Sequence, residues 1–308
     1  MKSVQKTKGH EKRFREYEPM SRHSTWRCGG SARFFFQPKN LEEIVSYMSD
    51  LDDKDDIIWL GLGSNLLVRD SGFSGTVIST IKALKKVMWS EDNKSLYVQS
   101  GVACARVAKE SAVRDRKGLE FLVGIPGTIG GALKMNAGAS GSEIWDFVEE
   151  VETIDSKGRV EILARSNFSP SYRNIKGPST WFVSARFGLP ESAAGTSLQE
   201  IESHMARRRA TQPIGRFSCG SVFTNPRGDF AGRLIESSNL KGCRIGGAVV
   251  STKHANFILN DGGASATDIE KLILYMRGMV RRKTGVVLRK EVKIVGKAGN
   301  GLAVAQYD

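Results

Sequence analysis

The chain has 308 residues, 40% of them apolar, and a formal net charge of +13. That length suits two or three domains, and the apolar share excludes a disordered chain. No stretch approaches the roughly twenty apolar residues of a membrane span, and the polar first segment lacks the apolar run of a secretory signal, so a cytoplasmic protein is expected.

Residues 1–14 read as a basic tail. Asn40 caps a helix whose apolar stripe is Leu41, Ile44, Val45 and Met48. Residues 57–60 form a short buried strand that leads into Gly61-Leu-Gly63-Ser64-Asn65. Ala105, Ala108, Ala112 and Val113 predict a helix over 102–116. Strands are expected at 148–154 and 159–163, joined by a turn at 155–158, and again at 181–187. A long helix runs from Asp268 to about Lys283, with Thr267 at its start and Ile269, Leu272, Ile273, Met276 and Val280 on one face. Gly285 ends it, and 286–295 reads as a strand with Val292 and Ile294 on one side, Glu291 and Lys293 on the other. Boundaries fall near 80–85 and 188–197.

The four cysteines, Cys28, Cys104, Cys219 and Cys243, are scattered and have neither zinc-site nor disulfide-framework spacing, so free thiols and no metal are expected. His10, His23, His204 and His254 add no metal-like spacing. The basic runs Arg207-Arg208-Arg209 and Arg281-Arg282-Lys283 close predicted helices, where cations offset the helix dipole. The positive charge by itself suits nucleic acid or a ligand with several phosphates.

Three segments carry candidate chemistry. Gly61 to Asn65 follows a strand, so its amides can converge on a phosphate, although Leu66 stands where a dinucleotide fingerprint needs glycine. Gly124-Ile-Pro126-Gly127-Thr128-Ile-Gly130-Gly131, followed by Met135-Asn136-Ala137-Gly138-Ala139, lets backbone approach a flat or phosphorylated ligand. Ser221 follows a glycine, but Cys219 and Phe223 occupy the glycine positions of a hydrolase elbow. Taken singly, each segment also reads as a tight structural turn.

In order and spacing these segments resemble the UDP-N-acetylenolpyruvoylglucosamine reductase family, from about Ser24 to Gly296. The matching pieces are Thr25 to Ala32, Leu60 to Leu67, Gly124 to Gly131, Met135 to Ala139, Tyr172-Arg173, Cys219 to Phe223, Ala231 to Glu236, His254 to Phe257 and Glu291-Val292. The resemblance implies an α+β fold: a two-part FAD-binding module of the vanillyl-alcohol-oxidase/PCMH type and a C-terminal α+β substrate domain. The implied division is 15–82, rejoined by 289–308, then 83–192, then the substrate domain at 193–288. The interval from Arg173 to Ser221 resembles the family branch with a short substrate loop.

The implied activity passes hydride from NADPH through FAD to UDP-N-acetylglucosamine enolpyruvate, for peptidoglycan synthesis. By motif match FAD would be held by Gly61, Gly63, Ser64, Asn65, Leu66, Gly124, Pro126, Gly127, Thr128, Gly130, Gly131, Asn136, Ala137 and Gly138. Arg173, Ser221 and Glu291 would be catalytic, and Tyr172, Arg216, Asn225, His254 and Asn256 would bind substrate. Many relatives have lysine where this chain has Thr224, which leaves Arg216, Arg227 and Lys241 as diphosphate candidates. No nucleic-acid or membrane partner is expected, and a monomer is favoured over an oligomer. The rival readings are an FAD-linked oxidase of the same fold and a non-catalytic nucleotide- or RNA-binding protein.

Overall fold

The computed structural model describes residues 13–51 and 56–298, and the chain divides into two compact units. The first comprises Met1–Arg15, Phe34–Leu62 and Gly75–Arg208; the second comprises Glu16–Arg33, Gly63–Ser74 and Arg209–Asp308. The basic tail expected over 1–14 lies outside the described residues as far as position 12, and Phe14 already opens the strand Phe14–Pro19.

In the first unit, helix α1 spans Leu41–Ser49, and the Asn40 side chain accepts the Glu43 amide at 3.1 Å. Its buried Ile44, Tyr47 and Met48 pack with Phe36, Ile78, Leu84 and Val183, while Leu41 and Val45 flank that cluster. The strand Ile57–Leu60 pairs in parallel with Phe73–Ser79, from Ile57 opposite Thr76 to Leu60 opposite Ser79. A five-stranded antiparallel sheet has the order Val160–Ala164, Val148–Ile154, Trp181–Gly188, Ser95–Gln99, Val87–Trp89. Val151, Ala185 and Val98 face one another across its middle strands and are all buried, as period-two alternation requires. Asp155 shapes the expected turn by accepting the Lys157 and Arg159 amides, both at 2.9 Å.

Helix α2 covers Cys104–Ala112, shorter than the 102–116 that the alanine spacing predicts. At its start, Ala103 is bridged to Thr128 and so stays extended. At its end, Asp115 takes a φ of +51° and the Arg116 amide returns to Ser111 O at 3.0 Å, which turns the chain out of the helix. Helix α3 spans Ile129–Lys134, and α4 spans Thr196–Thr211. The core of this unit gathers Phe121, Leu122, Ile129, Leu133, Trp145 and Phe187, and the Trp145 indole donates to Leu133 O at 2.8 Å.

In the second unit, helix α5 covers Ala231–Ser237 and helix α6 covers Ala266–Thr284. The stripe Ile269, Leu272, Ile273, Met276 and Val280 is buried as the periodicity predicts, and Gly285 ends the helix at a φ of +75°. The cap is Ser265, not Thr267: Ser265 and Asp268 form the capping box, while Asp70 accepts the amides of Ala266 and Thr267 at 3.0 and 2.8 Å. A three-stranded antiparallel sheet, Arg244–Ile245, Ala248–Val250 and Ile258–Asn260, shares a core with this helix. The strand expected over 286–295 is confined to Lys293–Val295, which pairs in parallel with Leu66–Val68.

Arg69 donates twice to Glu270 of α6, at 2.9 and 2.8 Å, and the Glu270 residue is only 5% exposed. Arg69→Ala strands that carboxylate, and a stability loss of about 3 kcal/mol is expected in urea unfolding. An unchanged midpoint would show that the pair adds nothing. All four cysteines are free, and burial pushes the Cys28 and Cys104 thiols up to about 12, which keeps them unreactive. No helix among the described residues is long and apolar enough to cross a membrane.

Candidate active site

In the first unit the two predicted glycine loops touch. A side chain on Gly61 would collide with the Thr128 hydroxyl, and one on Gly130 would meet Ser100 Cβ at 2.8 Å. Thr128 caps α3, and the amides of Ile129 and Gly130 bond to Val102 O and Ser100 O at 2.9 and 2.8 Å. Gly124 and Gly131 face open space instead. A Cβ on Gly131 would meet only Thr128 Oγ1 at 3.9 Å, and one on Gly124 only the Cδ of Arg208 at 4.0 Å. Gly127 O accepts the Cys104 amide at 3.0 Å, so the Pro126-Gly127 turn is fixed to the start of α2.

The same unit holds Asn136, Ala137, Gly138, Tyr172 and Arg173. Tyr172 and Arg173 form the two-residue turn between the strands Ser169–Ser171 and Asn174–Lys176. Arg173 has a φ of +54°, a left-handed conformation that costs a non-glycine residue roughly 1–2 kcal/mol. Its guanidinium donates to Gly138 O at 2.8 Å and lies 5.0 Å from the centre of the Tyr172 ring.

In the second unit lie Gly63 to Leu66, Ser221 and Glu291. Gly63 has a φ of +65°, and any side chain there would run into the His23 carbonyl. The parallel pairing of Leu66–Val68 with Lys293–Val295 places Asn65 beside Glu291: Asn65 Nδ2 donates to Glu291 O at 3.2 Å, and the Lys293 amide donates to Asn65 O at 3.1 Å. The Glu291 amide in turn donates to Val222 O at 2.8 Å. Ser221 and Glu291, 70 positions apart by number, therefore belong to neighbouring backbone segments. Gly220, at a φ of +72°, makes the turn that presents the half-buried Ser221.

The predicted substrate residues of this unit have distinct situations. Buried Asn256 grips Phe223 from both ends of its amide, accepting its N–H at 3.0 Å and donating to its C=O at 2.8 Å, and so it clamps the serine loop. His254 Nδ1 accepts the Asn256 amide at 3.2 Å, and burial holds its pKa below the ordinary histidine value. Asn225 accepts the Ala231 amide at the start of α5 at 3.0 Å. Arg216 is ion-paired with Asp261, and Lys241 with Glu236 at 2.5 Å, whereas Arg227 is exposed. Thr224 is buried and donates to Arg289 O at 3.3 Å. An open cleft of ≈ 630 Å³ in this unit is lined by Arg27, Asp70, Arg216, Phe217 and Asp261 among others, and Arg216 alone of the predicted site residues borders it.

Arg208 is a residue that the helix-end reading passed over. It lies beside Gly124, and burial lowers its pKa. The signal was present in α4: Ile201 is buried, Met205 packs on the core, and Arg208 follows at the next helical repeat on that face.

Two family profiles match the chain: "FAD binding domain" over residues 32–164 and "UDP-N-acetylenolpyruvoylglucosamine reductase, C-terminal domain" over residues 212–295. A UDP-N-acetylenolpyruvoylglucosamine reductase of Methylococcus capsulatus is 48% identical over 284 residues, covering 92% of this chain and 93% of its own. The reductase of Legionella pneumophila strain Corby is 48% identical over 283 residues, covering 91% and 92%. The crystal structure of the Thermus caldophilus reductase superposes with a TM-score of 0.77 at 30% identity, over 91% of this chain and 99% of that one. With near full-length identity of this order and both profiles in place, the chain belongs to the UDP-N-acetylenolpyruvoylglucosamine reductase family.

Proposed function

We propose that the chain is an FAD-dependent reductase that passes hydride from NADPH to the enolpyruvyl group of UDP-N-acetylglucosamine enolpyruvate. The product is UDP-N-acetylmuramate for peptidoglycan synthesis, made in the cytoplasm by a monomer. The observation that supports the reading is the bond from the Glu291 amide to Val222 O, which joins the segment of Glu291 to the segment that follows Ser221. The domain division proposed for it is 15–82 with 289–308, 83–192 and 193–288, of which residues 299–308 lie outside the described structure.

FAD suits the first unit because Gly61 and Gly130 leave no room for side chains, while Gly124, beside Arg208, and Gly131 face open space. Ser100 Oγ and Asn136 Oδ1 are buried there without a partner, as in a site built to receive a polar ligand. Gly61, Gly124 to Gly131 and Asn136 to Gly138 would hold it. Bound FAD supplies the hydride, received beforehand from NADPH.

Hydride at C3 of the enolpyruvyl group leaves negative charge at C2, delocalised into the carboxylate. Arg173 supplies a planar cation for that charge, and Glu291 supports it as a protonated acid or through a bound water. Ser221 gives the Oγ proton to C2 and regains one from water. Asn256 keeps the serine loop in place through its two bonds to Phe223.

The reading is tested by the visible spectrum of the purified protein without oxygen. Flavin bands should bleach with NADPH and return on adding the enolpyruvyl sugar. Bands that bleach and do not return would favour the oxidase-like alternative, and colourless protein unable to take up FAD would overturn both. Arg173→Lys replaces a planar fork with a point charge, and substrate-driven reoxidation is expected to slow by roughly 10²-fold. Near-normal turnover in that variant would remove Arg173 from the mechanism.

A further inference from the structure

We infer that Asn136 is a positioning residue for Arg173, acting through the turn that carries it and not through contact with substrate. The inference rests on the proposed role of Arg173. Asn136 is wholly buried just beyond α3, with a φ of +40°. Its Nδ2 donates to Glu143 Oε2 at 2.6 Å and to Ser171 O at 3.1 Å. Ser171 pairs with Asn174 to close the hairpin whose turn is Tyr172-Arg173. Glu143 pairs with Gly138, the residue whose carbonyl receives the Arg173 guanidinium at 2.8 Å. One amide therefore ties the segment that presents the arginine to the segment that receives it.

The direction of that amide is not arbitrary. A carbonyl and a carboxylate can only accept, so both contacts require the nitrogen, and a flipped amide would face two acceptors with an oxygen. The nitrogen's placement leaves Oδ1 buried with no protein donor. An apolar side chain would avoid that cost, so fold stability alone does not explain the asparagine. Arg173 itself is held at a φ of +54°, which a non-glycine residue keeps only where its surroundings impose it. The Asn136 tie is such an imposition at the base of the turn.

The test compares Asn136→Asp with the double variant Asn136→Asp/Glu143→Gln. Aspartate tolerates the left-handed backbone and keeps the size, but faces Glu143 and Ser171 O with oxygen. Because Asn136 also stands among the residues that would hold FAD, the variant is compared after FAD is resupplied, and its bleaching by NADPH should slow far less than its reoxidation. Reoxidation by the enolpyruvyl sugar should slow by roughly 10²-fold, as expected for a misplaced catalytic group. The double variant should recover roughly tenfold of that loss, because glutamine Nε2 can donate to the new carboxylate with the polarity reversed.

Unchanged reoxidation in Asn136→Asp, or equal loss of both half-reactions, would overturn the assignment. Should that variant fail to fold, Asn136→Gly, which suits the same φ and removes the tie without adding charge, must show the same split between half-reactions, and its absence would also overturn it. Arg173→Lys separates the two levels. If it is near normal, the role of Arg173 fails; if it is damaging while the Asn136 variants are normal, only the positioning role fails.

Discussion

Ser221→Ala is expected to leave NADPH-driven bleaching near its original rate and to slow the return of colour with the enolpyruvyl sugar by roughly 10²–10⁴-fold. The substitution removes one oxygen and little else. The turn is set by Gly220 at a φ of +72°, and the next residue, Val222, keeps both backbone bonds, to Asn256 O at 2.9 Å and from the Glu291 amide at 2.8 Å. Phe223 remains clamped by Asn256. The loop therefore has no reason to move, and a selective loss reports the missing proton. Equal loss of both half-reactions would assign the hydroxyl to structure instead.

Glu291→Gln is the second change with a large expected effect. The backbone of residue 291 is held on both sides, by its amide to Val222 O and by Asn65 Nδ2 to its carbonyl at 3.2 Å, and neither bond involves the carboxyl group. An isosteric amide keeps that frame while removing the acid. Stopped-flow reoxidation by the sugar should slow by roughly 10²–10³-fold at unchanged FAD content. Loss of FAD would show that the carboxylate supports the Gly63 to Leu66 segment, which is its neighbour in the second unit.

The contrast between what was readable in the chain and what was not has physical causes. The apolar stripe of α6 follows from periodicity alone, and it is buried residue for residue. Its first turn did not follow, because the choice between Ser265 and Thr267 is made by Asp70, 196 positions before Ala266. The strand expected over 286–295 shrank to three residues because its partner, Leu66–Val68, is three residues long. Strand length is a property of the pair, which one segment cannot disclose.

The same holds for the candidate site. The order of the glycine loops, Ser221 and Glu291 was legible as motif, and it named the family. Local chemistry was less legible. Asn256 is the residue type that binds sugars and phosphates, and its grip on both backbone groups of Phe223 is not readable from sequence. Arg208 sits in an arginine run that any solvated helix end produces, and only its place on the buried face of α4 sets it apart. Arg216, a diphosphate candidate by charge, is partnered by Asp261, a residue 45 positions away.

The alternation of the two units along the chain has a consequence for how the protein emerges from a ribosome. All segments of the first unit have been synthesised once Arg208 is made, so that unit can fold while the remainder is still being translated. The second unit cannot, because its early segments, Glu16–Arg33 and Gly63–Ser74, wait for partners between Arg209 and the C-terminal strand. Trp26 must wait for the Ile258 carbonyl, and Leu66–Val68 must wait for Lys293–Val295. Throughout that interval the nascent chain carries an unburied tryptophan and an unpaired apolar strand, the features that invite misassociation. A chain cut short before Lys293 would keep Leu66–Val68 in that unpaired state permanently.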